Sequence, residues 1–228
     1  MDVAARFAES VNAPSGRVRL DVGAFCIAAC AHPGLDVDEA CARLDDLAFG
    51  CPERTFAGLR AYLFGEMGFT GNTTDYADPE NSYLDAVLAR RTGIPITLSA
   101  LMMETGRRLG IDVRGIGMPG HFLVRDGSAA DEWCDPFHSG RVYDLDGCAV
   151  LFRRVYGPTA AFSPAFLTPV SARTILARML ANLEQGRAAR DPTQLAWMCA
   201  LHGSIPDLSD SERERLRIAS RSVQARWN

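Results

Sequence analysis

The spacing of the apolar residues changes once along this chain, near residue 110, and that change limits the folds that the chain can adopt. The segment PITLSALMMETGRRLG, residues 95–110, has the spacing of an amphipathic helix. Its inward face is formed by Leu98, Leu101, Met102, Thr105 and Leu109. From Val113 the apolar residues alternate instead, which predicts strands over 113–118, 121–125 and 132–135. We therefore predict an α+β fold with a buried central helix against a small antiparallel sheet.

Glycine and proline clusters divide the rest of the chain into further helices. These helices are predicted over 21–31, 36–48, 54–67, 82–91, 172–185, 194–201 and 211–223. Ser82 followed by Asp85 fits a capping box for the helix at 82–91. Pro95 suits the first turn of the central helix, because proline lacks the N–H group that would have no partner there.

Three segments follow from this pattern. We predict a helical N-terminal section at 1–70 that packs on the core, a core at 71–153, and a linker with short C-terminal helices at 154–228. The linker is placed where Pro158, Pro164 and Pro169 interrupt the pattern.

The composition argues against several classes of function. The net charge of −4 does not suit a nucleic-acid binder, which needs a basic surface for phosphate contacts. The first residues, MDVAARFAES, lack the apolar core of a signal peptide, and no run of about 18 apolar residues could span a membrane. We expect a cytoplasmic protein that binds neither nucleic acid nor membrane, with its seven cysteines reduced.

Four segments of the chain share the pattern of one known family. They are HPGLDVDEACARLDDLA, GFTGNTTDYADPENSYLDAVLARRTGIPITLSALMMETGRRLGIDVRGIGMPGHFLVRD, CDPFHSGRVYD and ARTILARMLANLE. Together they resemble the SirB-type transglutaminase-like family of bacterial proteins. The resemblance covers roughly residues 20–185 and implies a papain-like core. Full-length relatives often continue into tetratricopeptide-like helices, so the resemblance implies a truncated or divergent form of that region at the C-terminus here.

The resemblance also implies a catalytic triad that has lost one member. Active members of the superfamily use Cys, His and Asp, with the cysteine in a G-x-C motif that opens a long helix. The resemblance aligns the glycine of that motif with Gly93 and its cysteine with Pro95. It aligns the histidine with His121 and the aspartate with Asp135. The implied triad is degenerate, because a proline ring replaces the nucleophile.

The physical requirements of such a triad suggest where a replacement nucleophile could lie. A thiolate is favoured at a helix N-terminus, where the helix dipole and free N–H groups stabilise negative charge. Neighbouring antiparallel strands would bring His121 and Asp135 within hydrogen-bond reach. Thr97 and Ser99 are the hydroxyl residues nearest to the replaced position. Cys134 should point to the opposite face of its strand from Asp135 and belong to the core.

Three residues are candidates for ligand binding. Asn81 matches a fixed position of the family motif, Pro95 occupies the position of the nucleophile, and His138 follows Asp135 closely in Asp-Pro-Phe-His. A zinc or iron site from His121, Asp135 and His138 is conceivable. The sequence offers no clear fourth ligand, so we predict no metal and no cofactor.

These observations leave more than one hypothesis about function. The first is a repurposed, non-catalytic domain that binds a peptide or a protein partner. The alternative is an amide hydrolase or acyltransferase in which the His–Asp pair activates Thr97, Ser99 or a displaced cysteine. A metal-dependent hydrolase is the third hypothesis. The sequence names neither a ligand nor an oligomeric state.

Overall fold

The computed structural model describes residues 2–129, 131–186 and 190–225. The helices are α1 (Val3–Asn12), α2 (Leu20–Ala31), α3 (Val37–Phe49), α4 (Phe56–Ala61), α5 (Leu84–Arg90), α6 (Pro95–Leu109), α7 (Leu145–Tyr156), α8 (Ala172–Gln185), α9 (Pro192–Gly203) and α10 (Asp210–Ala225). The strands are β1 (Thr70–Gly71), β2 (Thr92–Gly93), β3 (Val113–Ile116), β4 (Leu123–Asp126), β5 (Trp133–Asp135) and β6 (Arg141–Tyr143). The predicted α+β class is confirmed. Residues 1, 130, 187–189 and 226–228 of the three predicted segments lie outside the described residues.

Helix α6 is the buried central helix that the apolar spacing predicts. Pro95 is its first residue, and Gly110 ends it in the left-handed conformation with φ 76°. Its inward residues Leu98, Leu101 and Met102 have no exposed surface. The helix contacts α2, α3, α5 and α8 on one side and strands β3 and β4 on another. All residues from Pro95 to Met102 are buried, so packing fixes where the N-terminus of the helix lies.

The larger sheet is an antiparallel meander in the order β3-β4-β5-β6. Val124 on β4 is paired with Cys134 on β5, and Asp135 on β5 with Arg141 on β6. One face of the sheet packs in the main hydrophobic cluster with α6, and the other packs in a second cluster with α7. Because both faces are covered, all three residues of β5 are buried.

The structure corrects the capping predicted for α5. Ser82 is the last residue of a 3₁₀ turn, Pro79–Ser82, and does not cap the helix. The N-cap of α5 is Tyr83, which makes no side-chain capping bond. The extra turn uses Asp78 as its own cap, through a hydrogen bond from the N–H of Glu80.

Other boundaries differ because local packing overrides the sequence pattern. The helix predicted over 54–67 is an α-helix only to Ala61 and continues as a π-helical turn, Tyr62–Glu66. His121 lies in a turn before β4, since that strand begins at Leu123. Helices α1 and α7 have no counterpart among the helices predicted from the sequence.

The main hydrophobic cluster contains residues of all three predicted segments, from Phe7 through Met102 to Leu216. The division at residues 70 and 153 stays a prediction. None of the helices in the described ranges combines the length and apolar character that crossing a bilayer requires.

Candidate functional site

His121 and Asp135 meet at one end of the meander. Asp135 is the last residue of β5, and His121 lies in the β3–β4 connection, where its N–H donates to the carbonyl of Met118 at 3.1 Å. Nε2 of His121 is 2.8 Å from Oδ2 of Asp135. The two side chains therefore form a His–Asp pair, in which Nδ1 is the imidazole nitrogen that this bond leaves free.

The carboxylate of Asp135 is completely buried. Its other oxygen, Oδ1, accepts hydrogen bonds from the N–H groups of Phe137 at 3.0 Å and His138 at 3.3 Å. Burial alone would raise the pKa of Asp135, but hydrogen bonds from His121 and His138 and their charge hold it below its ordinary value. Asp135 is thus held ionised and fixed in orientation by the turn that follows it.

His138 is a second imidazole on the same carboxylate. Its Nδ1 lies 2.7 Å from Oδ2 of Asp135, the oxygen that also bonds His121. The side chain of His138 is 45% exposed, whereas that of His121 is 12% exposed. Among the described residues, these three side chains form one group whose ligand atoms could surround a metal ion. His138 thus forms the outer edge of the site, and His121 lies deeper.

The start of α6 provides no nucleophile to this pair. Pro95 is buried at the first position of the helix. The hydroxyl oxygens of Thr97 and Ser99 are buried and have no hydrogen-bond partner, so neither donates to His121. The geometry therefore brings His121 and Asp135 together, and neither candidate hydroxyl makes a hydrogen bond to them.

The cysteines nearest to the pair in the sequence are also poor nucleophiles. Cys134 is buried in the main hydrophobic cluster, as predicted for a core residue, and burial raises its pKa to about 12. Cys148 lies in the second cluster on α7, where burial likewise raises its pKa to about 12. Both thiols stay protonated near neutral pH, so neither is activated.

Asn81 supports the loop that precedes α5. It is fully buried, and its side-chain oxygen accepts a hydrogen bond from Asn72 at 3.0 Å. Its side-chain nitrogen donates to the carbonyls of Asp75 at 2.8 Å and Tyr76 at 3.3 Å. The amide group is therefore occupied within the loop, and what Asn81 does is hold Tyr76 in place.

Aromatic residues that the sequence analysis did not select surround the pair. The ring of Phe137 lies edge-on to the imidazoles of His121 and His138. The distances between ring centroids are 6.4 Å to His121 and 5.2 Å to His138. Tyr76, which is 57% exposed, also lies edge-on to Phe137, with 5.7 Å between the ring centroids. Phe137 could have been suspected from its place between Asp135 and His138. Tyr76 carried no signal beyond its turn-rich segment.

The end of α7 closes the site from another side. Gly120, which precedes His121, has φ 73°, and a Cβ there would lie 2.8 Å from Cγ1 of Val155. Val155 and Tyr156 are both more than half exposed. The last turn of α7 therefore presents apolar surface beside Gly120, the residue that precedes His121.

Arg178 on α8 holds the turn that carries His121. Its guanidinium donates to the carbonyls of His121 at 3.3 Å and Met118 at 3.4 Å and lies over the ring of Phe122. Burial lowers the pKa of Arg178 from its ordinary value. No signal in the sequence marks Arg178, because α8 contains several other polar residues and the contacts of Arg178 depend on how the helix packs.

A groove of about 230 Å³ begins at Tyr76. It is lined by Tyr76, Asp78, Ser82, Ile94, Asn182 and Gln185, among others. Ile94 is the N-cap of α6, and Tyr76 contributes to the groove while also contacting Phe137. The groove and the His–Asp pair are therefore joined through Tyr76 and Phe137.

Comparison with known proteins identifies the superfamily of the chain. Residues 35–181 match the model of the transglutaminase-like superfamily. A UPF0162 protein of Xylella fastidiosa strain Temecula1 is 39% identical over 168 residues, which is 70% of this chain and 59% of that protein. A UPF0162 protein of Pseudomonas aeruginosa is 36% identical over 163 residues, 70% of this chain and 58% of that protein.

A more distant relative is eukaryotic. F-box only protein 21 of Mus musculus is 32% identical over 130 residues, 53% of this chain and 20% of that protein. No solved structure matches the chain. The chain spans less than two thirds of the length of the bacterial relatives. Since the matching model covers more than half of its residues, the chain belongs to the transglutaminase-like superfamily.

Proposed function

We propose that this protein is a non-catalytic peptide-binding domain with a degenerate transglutaminase-like triad. The proposal rests on the start of α6, where Pro95, the residue that the resemblance aligns with the nucleophile, is the first helical residue and the hydroxyls of Thr97 and Ser99 have no hydrogen-bond partner. A His–Asp pair without a nucleophile can orient and hydrogen-bond a ligand, but it cannot form the covalent intermediate that acyl transfer by this route needs.

The surface around the pair suits a peptide side chain. Tyr76, Val155 and Tyr156 are among the most exposed apolar residues of the described chain, and all lie at the edge of this site. Tyrosine gives a large contact area and a hydroxyl group at a small cost in conformational entropy, which explains its enrichment in protein interfaces. These residues support an occupant that buries an apolar side chain beside His121.

The adjoining groove suits an extended backbone. Ser82, Asn182 and Gln185 bring hydroxyl and amide groups to its walls, and Ile94 and Tyr76 bring apolar surface. Amide side chains can both donate to and accept from peptide groups. We therefore propose an extended segment of a partner protein as the ligand, with one side chain at the pair and its backbone along the groove.

Selection with a phage-displayed library of random dodecapeptides tests this proposal, followed by calorimetry with the selected peptide. We expect binding that Tyr76→Ala weakens by at least about tenfold, because the aromatic contact that joins the groove to the pair is lost. Phe49→Ala is the matched control, since Phe49 is an aromatic residue that is 92% exposed at the end of α3. Failure to select any peptide, or equal loss in both variants, would overturn the proposal.

The hydrogen bond between His121 and Asp135 favours a second candidate, an amide hydrolase or acyltransferase. That bond would orient a general base in the same way as in a working triad. A panel of peptide anilides and thioesters tests it directly. Turnover by the wild-type protein that His121→Ala abolishes would establish the enzyme and refute the non-catalytic proposal.

A further inference from the structure

One carboxylate oxygen is shared by two imidazoles in this site. Nε2 of His121 and Nδ1 of His138 lie 2.8 Å and 2.7 Å from Oδ2 of Asp135, and the three atoms lie within 4.8 Å of one another. We infer that His121, Asp135 and His138 bind a divalent metal ion of the zinc type through these three atoms. This inference goes beyond the proposed peptide binding and does not depend on it.

The charge of Asp135 supports a cation at this place. A buried carboxylate is costly unless a counter-charge or a metal ion compensates it. The side chain of Asp135 is fully buried, and its side-chain hydrogen bonds in the described residues come from imidazoles and not from arginine. Asp21, another fully buried carboxylate, is bonded instead by arginines. The chain thus surrounds one buried carboxylate with guanidinium groups and the other with residues that ligate metals.

The donor atoms also suit zinc in type and in spacing. Two imidazole nitrogens and a carboxylate oxygen are common zinc ligands, with bond lengths of about 2.0 to 2.2 Å. A tetrahedral ion then needs about 3.3 Å between ligand atoms, so the two spacings to Oδ2 of Asp135 must widen by roughly half an ångström. The two imidazole nitrogens, at most 4.8 Å apart, must take the same spacing. His138 can make this adjustment, because its side chain is 45% exposed.

The backbone holds the three ligands on short, fixed elements. The N–H groups of Phe137 and His138 bond Oδ1 of Asp135, which leaves Oδ2 for the ion. Arg178 bonds the carbonyl of His121 and fixes the turn that carries this ligand. Supporting hydrogen bonds of this kind orient ligands and strengthen metal binding. With three protein ligands, a bound ion keeps one position open for water or a ligand.

Metal titration of protein purified without an affinity tag and treated with a chelator tests the inference. We expect one Zn²⁺ per chain by calorimetry, and a visible absorption band of tetrahedral Co²⁺ when cobalt is used. His138→Ala should weaken the affinity for Zn²⁺ and for Co²⁺ by at least about tenfold, because one of three ligands is removed. A thermal melt followed by circular dichroism checks that the variant is folded, which the exposure of His138 favours.

His32→Asn is the matched control. His32 also contacts two acidic side chains, but through different ring nitrogens, with Nδ1 2.7 Å from Asp85 and Nε2 3.2 Å from Glu80. This variant should bind zinc as the wild type does. Absence of stoichiometric binding by the wild type, or equal affinity of wild type and His138→Ala, would overturn the inference. Neither result would bear on peptide binding, which is measured without metal.

Discussion

Buried charged residues are compensated in two ways in this protein. Asp21 on α2 accepts hydrogen bonds from Arg19 at 2.7 Å, from Arg108 at 2.8 Å and from Arg107 at 3.1 Å. Burial alone would raise the pKa of Asp21, but the arginines hold it well below its ordinary value. Two of these arginines belong to α6, so the cluster ties α2 to the helix whose N-terminus forms part of the candidate site.

Asp21→Asn tests whether this ion-pair cluster stabilises the fold. The substitution removes one of the two buried carboxylates, Asp21 and Glu104, that pair with the arginines of α6, and we expect the free energy of unfolding to fall by about 3 kcal/mol. Asp112→Asn is the control, because Asp112 forms an exposed pair with Arg114, where solvent screens the interaction. Urea unfolding of both variants measures the difference. Equal losses would show that the buried cluster does not stabilise the fold in this way.

The thiols beside the site give a second prediction at the residue scale. Since burial raises the pKa of Cys134 and Cys148 to about 12, neither should react with iodoacetamide in the folded protein near neutral pH. Peptide mapping by mass spectrometry after brief labelling measures this, and labelling in urea is the positive control. Rapid modification of either thiol that His121→Ala slows would reveal a displaced nucleophile.

At the scale of elements, His32 joins the end of α2 to the segment that begins α5. Burial of its ring would lower the pKa of His32, but hydrogen bonds and charge from Asp85 and Glu80 outweigh that effect and raise it. The folded state therefore binds the proton more tightly than the unfolded state, in which the pKa of a histidine is about 6.5. The stabilisation from this proton is complete below the pKa of the unfolded state. It is lost as the pH rises through the higher pKa of His32 in the folded state.

Comparison of the wild type with His32→Asn over about pH 5.5 to 8.5 tests this linkage. The difference in the free energy of unfolding between the two proteins should be largest at the acidic end and decrease as the pH rises. Urea unfolding at each pH provides the measurement. A difference that stays constant or increases with pH would contradict the proposed ion pairs.

Long elements with a clear period could be predicted from the sequence, and short ones could not. Helix α6 was predicted from 95 to Gly110 because its apolar stripe, Pro95 and Gly110 all agree. The cap at Ser82 was predicted wrongly, since a 3₁₀ turn held by Asp78 competes for the same residues. Strand β4 begins two residues later than predicted, because Pro119 and Gly120 form a turn that extends through His121.

The site was predictable only in part, for a related reason. His121, Asp135 and His138 lie close in sequence, so a short hairpin suffices to bring them together. Tyr76 and Arg178 come from distant parts of the chain, and their contacts depend on how α8 and the loop before α5 pack. Neither residue type nor spacing encodes such packing.

On the scale of the whole molecule, three distant parts of the chain converge on one surface. The loop before α5 brings Tyr76, the meander brings the His–Asp pair, and the end of α7 brings Tyr156. The model of the transglutaminase-like superfamily covers residues 35–181 and thus all three parts. The account of this surface depends on one claim, that Pro95 occupies a nucleophile position beside His121.

Replacement of Pro95 by cysteine tests most directly whether this residue occupies the nucleophile position beside His121. The helix N-terminus and a protonated His121 should lower the pKa of the new thiol below about 8.5, the ordinary value. Six native thiols have their pKa raised to about 11 or 12 by burial, so a thiolate formed at lower pH stands out in an ultraviolet titration against wild type.

We predict that Pro95→Cys gains one thiolate with a lowered pKa and that adding His121→Ala raises that pKa again. A thermal melt shows whether both variants are folded. A new thiol that titrates at its ordinary value or above, and that is indifferent to His121, would contradict the assignment of Pro95 to the nucleophile position.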